Sequence, residues 1–551
     1  MTEAHDDTNT MGLVAISTPL LFLAMVPILS IAFISWKLEL KLASPIIVGT
    51  FRTFVQLTIL GLILQPIFVW GETHWWIVVG YALLMMLLAA HEAAIRSKYY
   101  FKGMYSCVLV SIITNITIVS IFAFGVIIRP KPTWNPQYVI PIIGMLLGNS
   151  ITGIGLSLNS FLTALVEQQR QVELFLSFGA SSFEASSGLV REALRAGAMP
   201  LLNTMAVIGI VSIPGMMTGQ ILGGSPVMEA ARYQMLIMYL IGACAFGAIL
   251  MELWIALMIA FDQSCILRND RFIKRNETIS FLDRIVALCR RKRREPTDNS
   301  DETTPLQENA NYAPKGTLEV RSLRKGISSS LEAKLEVIGI QRSFPLADTD
   351  DAARQTLFKN FSFQVASGEI ALVSGPSGVG KSQLLRTVAG LSAIDNGDIQ
   401  LDGTSRIQFP DPTDWRKHVR YVTQYKVDIP GTPLDFIRQV TSFKSWRRDK
   451  VTPLEKEMLA TTRELVQNWG LDASCVEKEW TLLSGGEAQR VIVALALASR
   501  PKVLLFDEST SSLDIDSKLR VERSVEEFAT KFGISVLWIT HDQEQAERMS
   551  K

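Results

Sequence analysis

The chain has 551 residues, 48% of them hydrophobic and only 19% charged, with a mean hydropathy of +0.24; soluble globular chains carry about a quarter charged residues, so a purely soluble protein is excluded. At roughly 100 to 200 residues per domain the length allows two to four domains. The 54 Lys and Arg against 53 Asp and Glu leave a formal charge of +1, which provides no global field to gather nucleic acid. Five cysteines (Cys107, Cys244, Cys265, Cys289, Cys475) are scattered with no pair at metal-ligand spacing. They read as free thiols in a chain whose soluble part faces a reducing compartment.

Long apolar segments crowd the first half and are missing from the second. About seven approach the roughly 20 residues that cross a bilayer, near 12–35, 45–70, 75–92, 104–128, 138–162, 200–222 and 232–261. The first follows an acidic start (Glu3, Asp6, Asp7), which reads as a retained helix and not a cleaved leader. Loops carrying Lys37 and Lys41, then Arg96, Lys98 and Lys102, then Arg170, Arg191 and Arg195 alternate with loops poor in Lys and Arg. Basic short loops stay cytoplasmic, so an odd number of crossings puts the N-terminus outside and everything after Phe261 inside. Arg129 and Lys131, in a Pro-rich loop, are outvoted.

The basic cluster Arg290 to Arg294 reads as an anchor at anionic headgroups. The polar tract from Glu295 to about Lys315 reads as a disordered linker, because it has little apolar surface to bury. From Leu335 onward, short β-branched runs (335–340, 369–374, 503–506, 535–539) alternate with helical patterns, which predicts an α/β domain with a largely parallel sheet. The expected organisation is a membrane domain over 1–262, a cytoplasmic linker over 263–334 and a nucleotide-binding domain over 335–551.

The strand 370–373 runs into Gly375-Pro376-Ser377-Gly378-Val379-Gly380-Lys381-Ser382 and then an apolar helix. This is a phosphate-binding loop in its proper context. Glycines let backbone N–H groups curl around phosphate oxygens at a helix N-terminus, Lys381 reaches the β and γ phosphates, and Ser382 offers a hydroxyl to Mg2+. Downstream, the apolar run 503–506 ends in Asp507-Glu508, placing one carboxylate to hold Mg2+ and the next to polarise an attacking water. Between them, Leu483-Ser484-Gly485-Gly486-Glu487 opens a long apolar helix, a second N-terminus with exposed amides and hence a second anion site.

With these three motifs in order, residues 335–551 resemble the ATP-binding-cassette family of P-loop NTPases. The resemblance implies that Gln424 links the catalytic site to the membrane domain and touches Mg2+, that Ser511 to Asp514 form the D-loop, and that His541 is the switch residue at the γ-phosphate. No tyrosine stands at the adenine-stacking position before the phosphate loop, and Phe344 is the substitute. Gln383 replaces the usual Thr after Ser382. The chain ends ten residues after His541, before the closing strand and helices of such domains.

The membrane half has signatures in Ile140 to Ser150, in Val211 to Leu222 and in Arg52-Thr53-Phe54-Val55-Gln56-Leu57. These resemble the Fet-type iron-exporter permease, whose plant relatives are linked to aluminium tolerance; in that family permease and ATPase are normally separate polypeptides. The segment Glu167 to Gly197 is amphipathic, with the Glu173-to-Gly179 spacing of a coupling loop; Leu174, Phe175 and Phe178 would dock on the ATPase, or else the helix lies on lipid. Arg52, Gln56, Asn115, Asn149, Asn159, Asn203, Gln220 and Glu252 are polar positions in apolar runs, candidates for a transport path or for helix-to-helix hydrogen bonds. Met205, Met216 and Met217, and the pair His91-Glu92, are weaker candidates for metal contact. Gly144, Gly148, Gly215 and Gly219 are expected to serve close helix packing.

Together these resemblances imply an ATP-driven, multi-pass half-transporter that binds ATP and Mg2+, sits in lipid with its ATPase in the cytoplasm, and works as a homodimer, because in the cassette family the Ser-Gly-Gly turn of one copy closes over the phosphate loop of another. The expected cargo is iron, a related metal ion or its chelate, moved across the plasma membrane. The alternatives are a nucleotide-sugar transporter and a non-transporting protein that passes nucleotide-driven motion to a partner.

Overall fold

The computed structural model describes residues 17–275, 318–322, 333–345, 354–448, 455–540 and 543–549. The basic cluster, the polar tract, Cys289 and His541 lie outside them. The chain divides into two compact units, one comprising Met1–Thr163, Arg191–Ile255 and Phe272–Leu306, the other Ala164–Val190, Ala256–Arg271 and Gln307–Lys551.

The first half is helical: α1 (Thr18–Lys37), α2 (Ala43–Gly71), α3 (Trp75–Ile95), α4 (Met104–Phe122, continued by a π-helical turn over Ala123–Ile128), α5 (Pro136–Glu167), α6 (Gln169–Ser177), α7 (Ser182–Val207), α8 (Gly215–Leu222) and α9 (Val227–Ala260). Six of the described helices are long and apolar enough to cross a membrane. They bury small and β-branched residues inward, such as Ala90 and Ala93 of α3 and Val108, Ile112 and Ile116 of α4, while Leu62, Val69 and Ile121 are two-thirds exposed. An apolar face turned outward is the lipid-facing pattern.

The crossing expected over 200–222 is not one helix. It breaks between α7 and α8 in a turn where Gly209 takes φ +80° and Pro214 caps α8; the proline drives the residue before it out of helical geometry. The crossing count nevertheless stays odd. A two-stranded antiparallel ribbon pairs β1 (Tyr99–Tyr100) with β2 (Ile273–Lys274), so both lie on one face of the membrane and an even number of crossings separates them. Helices α4, α5 and α9 supply three, and the broken α7–α8 segment supplies the fourth. With α1 to α3 that makes seven among the described residues, one more than the six unbroken apolar helices.

Of the expected packing glycines only Gly144 makes a close approach, its Cβ position lying 3.3 Å from the Met85 methyl carbon of α3. The Cβ positions of Gly148, Gly215 and Gly219 meet nothing within 4 Å, whereas a Cβ on Gly197 would lie 2.6 Å from the Gly153 carbonyl oxygen. Close approach of α7 to α5 occurs there, further along α5 than the sequence pattern suggested.

The second unit carries a sheet in which β6 (Ile370–Ser374), β11 (Ser535–Ile539), β10 (Val503–Asp507) and β9 (Val419–Val422) run parallel in that order, with β3 (Glu319–Ser322) antiparallel at the β6 edge. Strands β9, β10 and β11 are buried at every residue, which explains their continuous apolar runs. A four-stranded antiparallel sheet joins β5 (Arg354–Ala366), β4 (Ala333–Pro345), β7 (Asn396–Leu401) and β8 (Thr404–Ser405). The helices of this unit beyond α6 are α10 (Lys381–Val388), α11 (Pro412–His418), α12 (Pro433–Ser442), α13 (Lys444–Arg448), α14 (Glu455–Asn468), α15 (Gly485–Ala498), α16 (Ile515–Phe532) and α17 (Gln543–Met549).

Candidate functional site

Strand β6 ends at Ser374 and α10 begins at Lys381, with the glycine loop between them. Gly378 and Gly380 take φ of +80° and +104°, a backbone region that a side chain disfavours. Lys381 is buried, and its Nζ donates to the carbonyl oxygens of Gly375 at 2.8 Å and Pro376 at 3.0 Å. Burial holds its amine below the ordinary lysine value, against the pull of Glu508 and Asp507. The Ser382 hydroxyl donates to Asp507 Oδ1 at 2.9 Å and the Tyr421 hydroxyl to Asp507 Oδ2 at 2.7 Å. Burial pushes Asp507 above the usual carboxylate value while both hydrogen bonds pull it back. Tyr421 is raised well above an ordinary phenol, first by burial and then by the Asp507 charge.

Gln424, just after β9, donates from Nε2 to Glu508 Oε2 at 2.8 Å. Glu508 holds φ +50°, a left-handed conformation unusual for a non-glycine residue and concentrated at functional sites. Lys381, Ser382, Gln424, Asp507 and Glu508 therefore gather at the carboxyl ends of β6, β9 and β10, where open parallel sheets bind ligands. The hydroxyl, carboxylate and amide oxygens of Ser382, Asp507 and Gln424 are the hard donors that Mg2+ takes.

Ser484 caps α15 in a reciprocal box with Glu487, leaving Ser484 and Gly485 exposed at that helix start. Asp514 caps α16 through Ser517 N. Phe344 falls next to the end of β4, opposite Gln355; its side chain lies outside the described residues.

Residues Ala164–Val190 belong to the same compact unit as the ATPase sheet. Leu174, Phe175 and Phe178 of this segment are all buried. The Phe175 ring stacks on Phe436 at 5.5 Å and meets Phe443 edge-on, while Phe178 meets Phe436 edge-on at 4.9 Å. The lipid-facing alternative for this helix is thereby excluded. Glu173 takes a forked ion pair from Arg386 of α10, one bond at 2.8 Å. Arg420 of β9 donates to the Ser177 carbonyl at 2.6 Å and lies over the Phe178 ring at 4.2 Å. The Arg170 guanidinium stacks on Tyr425, beside Gln424, at 3.7 Å. At Gly179 (φ +85°) a Cβ would press on Ser445 Oγ at 3.0 Å, while that hydroxyl donates to the Gly179 carbonyl. Burial pushes Arg420 down to about 9, so its contacts with Ser177 and Phe178 offset a real desolvation cost. Sequence reasoning missed Tyr421, Arg386 and Arg420, since nothing in their local pattern distinguishes them from ordinary strand and helix residues.

In the membrane unit several polar candidates have partners. Asn149 bonds the Met145 carbonyl and Asn115 the Ser111 carbonyl, each four residues back in its own helix, and Asn159 accepts from Lys98 N. Glu92 is engaged by Arg52 at 3.3 Å and Arg96 at 3.5 Å, and the His91 ring packs edge-on to Tyr105. Among the described residues no group of three or more His, Cys, Asp or Glu is arranged to hold a metal. A cavity of about 80 Å3 between α5, α7 and α9 is lined by Asn149, Thr152 and Thr204 among apolar residues.

The phosphate loop on β6, the Asp507-Glu508 strand end and the capped Ser-Gly-Gly helix on one parallel sheet define an ATP-binding-cassette ATPase, which takes ATP with Mg2+. Residues 358–511 match the family described as ABC transporter. Residues 19–261 match the Uncharacterised protein family (UPF0014), and the chain belongs to that family. It is 34% identical over 212 residues to the UPF0014 membrane protein slr1647 of Synechocystis sp., covering 38% of this chain and 81% of that one. It is 33% identical to Protein ALUMINUM SENSITIVE 3 of Arabidopsis thaliana, covering 41% and 81%, and 32% identical to the Probable iron export permease protein FetB of Escherichia coli, covering 40% and 83%. The protein is thus an integral membrane ABC transporter that carries permease and ATPase in one polypeptide and couples ATP hydrolysis to transport.

Proposed function

We propose that this transporter works as a homodimer and exports iron, a related metal ion or its chelate from the cytoplasm across the plasma membrane. The observation that carries the coupling part is the seat of residues 164–190 on the ATPase. Glu173 grips Arg386 on the helix that begins with Lys381, and Arg170 stacks beside Gln424. A displacement of the nucleotide loops is therefore felt directly by a segment whose ends continue into α5 and α7. The cargo reading is supported by the likeness to the E. coli iron export permease and the Arabidopsis aluminium-sensitivity protein.

In this reading residues 1–262 form the permease, 263–334 the linker and 335–551 the ATPase. The loop Gly375 to Ser382 cradles the phosphates, Ser382, Asp507 and Gln424 hold Mg2+, and Phe344 supports adenine. Bound Mg2+ neutralises charge on the β and γ phosphates. Glu508, braced by Gln424 and backed by His541, orients the attacking water. Ser484, Gly485 and Gly486 of a second copy present their amides to the γ-phosphate.

The test is ATPase activity and vesicle transport of the full chain in liposomes, run against metal ions and their chelates. Iron or a related metal should stimulate hydrolysis and move. Stimulation by none of them overturns the cargo. A strictly monomeric mass for Glu508→Gln with ATP in nanodiscs overturns the homodimer.

A further inference from the structure

Glu252 of α9 differs from the other charged residues of the membrane helices. It is fully buried, at 0% exposure, and neither carboxylate oxygen has a hydrogen-bond partner among the described residues. An ionisable group buried at membrane depth without a partner is costly, so its presence is explained by a ligand and not by packing.

The neighbouring helix identifies the ligand's chemistry. The Ser111 hydroxyl of α4 donates to the Ala248 carbonyl of α9 at 2.9 Å, fixing the register of two helices that cross the membrane in opposite directions. One turn back from Ser111 is Cys107, and one turn on from Ala248 is Glu252, so the antiparallel register brings the two to the same level of the seam. Cys107 is accordingly within electrostatic reach of Glu252. On the other side of Ser111, Asn115 Nδ2 lies 3.6 Å from the Met251 sulfur. The seam thus places a thiol and a carboxyl at one level, with a thioether and an amide a turn or two away.

We propose that Glu252 and Cys107 form a transit site for a divalent first-row transition metal inside the membrane domain. A proton would need only the carboxyl. A thiolate facing a carboxylate suits a borderline cation such as ferrous or cobaltous ion, and does not suit hard Mg2+, Ca2+ or trivalent aluminium. Eight residues separate Glu252 from the end of α9 at Ala260, placing the site about 12 Å inside the helix at 1.5 Å per residue. Two strong protein ligands, with water or carbonyl oxygens completing the shell, hold a metal firmly enough to select it and loosely enough to release it. Binding exchanges the thiol proton, and any proton on the carboxyl, for the metal and delivers them to water. The site deepens the metal-exporter reading and rests on it for the role of the metal as cargo.

The test titrates Co2+ into the nucleotide-free full chain in nanodiscs and reads the thiolate-to-cobalt charge-transfer absorption. The parent should bind Co2+ with that band. Cys107→Ser should abolish it, Glu252→Gln should weaken binding by at least about tenfold, and Cys475→Ser should change neither. Cys107→Ala and Glu252→Asp replace either first variant that fails to reach nanodiscs folded. A band that survives loss of the Cys107 thiol, or parent affinity in Glu252→Gln, overturns the site. Metal-stimulated ATPase separates this from the exporter reading. Stimulation that persists at parent level in both variants removes the site and keeps the exporter, whereas Co2+ bound through Cys107 with no metal stimulating or moving keeps the site and removes the exporter.

Discussion

In the membrane helices Thr50, Thr53, Thr58, Asn149, Thr204 and Thr218 each bond the carbonyl four residues back in their own helix. Around the nucleotide site of the ATPase unit and its docked segment, polar side chains reach across the chain instead, Ser382 and Tyr421 to Asp507, Gln424 to Glu508 and Arg420 to Ser177. The contrast follows from the two solvents. A hydroxyl or amide facing lipid finds no water, and the nearest acceptor is its own helix backbone. A polar group at the edge of a parallel sheet meets loops from distant parts of the sequence. A polar residue within an apolar run is therefore poor evidence of a transport path, whereas one with neither a local nor a distant partner, such as Glu252, is good evidence.

The largest effect should come from the ATPase side of this comparison. Glu508→Gln keeps the phosphate cradle but removes the carboxylate that orients water, and should lower phosphate release by about 10²- to 10⁴-fold with ATP binding retained. Turnover near the parent rate would remove Glu508 from the chemistry.

Next comes the ion pair between the docked segment and α10, both within the ATPase unit. Glu173→Arg sets like charge against Arg386; losing a partner from a buried pair costs about 3–5 kcal/mol, and less here because the two side chains keep 12% and 21% exposure. Cargo moved per ATP hydrolysed should fall at least about tenfold, a coupling loss of about 1.4 kcal/mol, and the reciprocal exchange Glu173→Arg with Arg386→Glu should recover part of it. Unchanged coupling would show that the docked segment does not transmit motion.

A smaller effect is expected at Tyr421→Phe. Removing one of two bonds that hold Asp507 should raise the Mg2+ concentration for half-maximal ATPase by about tenfold, a hydrogen bond to a charged group being worth about 1.5–3 kcal/mol. Ser382 still holds the other oxygen, so maximal turnover should change little. Steady-state ATPase titrated with Mg2+ separates the two.

Smallest of all should be Thr53→Val and Thr58→Val on the exposed face of α2. Their bonds close within one helix, and membrane hydrogen bonds average about 0.6 kcal/mol, so stability in detergent and transport should stay within about twofold. A large loss at either position would break the distinction between locally and distantly satisfied polar groups.

The phosphate loop, the Asp507-Glu508 strand end and the Ser484 cap were legible because each depends on residues adjacent in sequence. Glycine φ, strand burial and helix capping are local properties, and their motifs can be read in one dimension. The docking of Phe175 and Phe178 was legible for a related reason, since large aromatics on an otherwise polar helix need a groove. Tyr421 was not, because its role depends on a hydroxyl meeting Asp507 across two adjacent parallel strands, β9 and β10.

The same division holds for the fold. Apolar segment length determined that the first half lies in lipid, and the order of motifs determined that the second binds ATP with Mg2+, because bilayer thickness and phosphate geometry constrain short stretches of chain directly. Only the tertiary structure decided that the crossing over 200–222 is broken, that Gly153 and Gly197 and not Gly148 or Gly215 bring helices together, and that Glu173 answers Arg386. Each of these depends on which surfaces meet once helices pack, and close packing couples residues that the chain keeps tens to hundreds of positions apart.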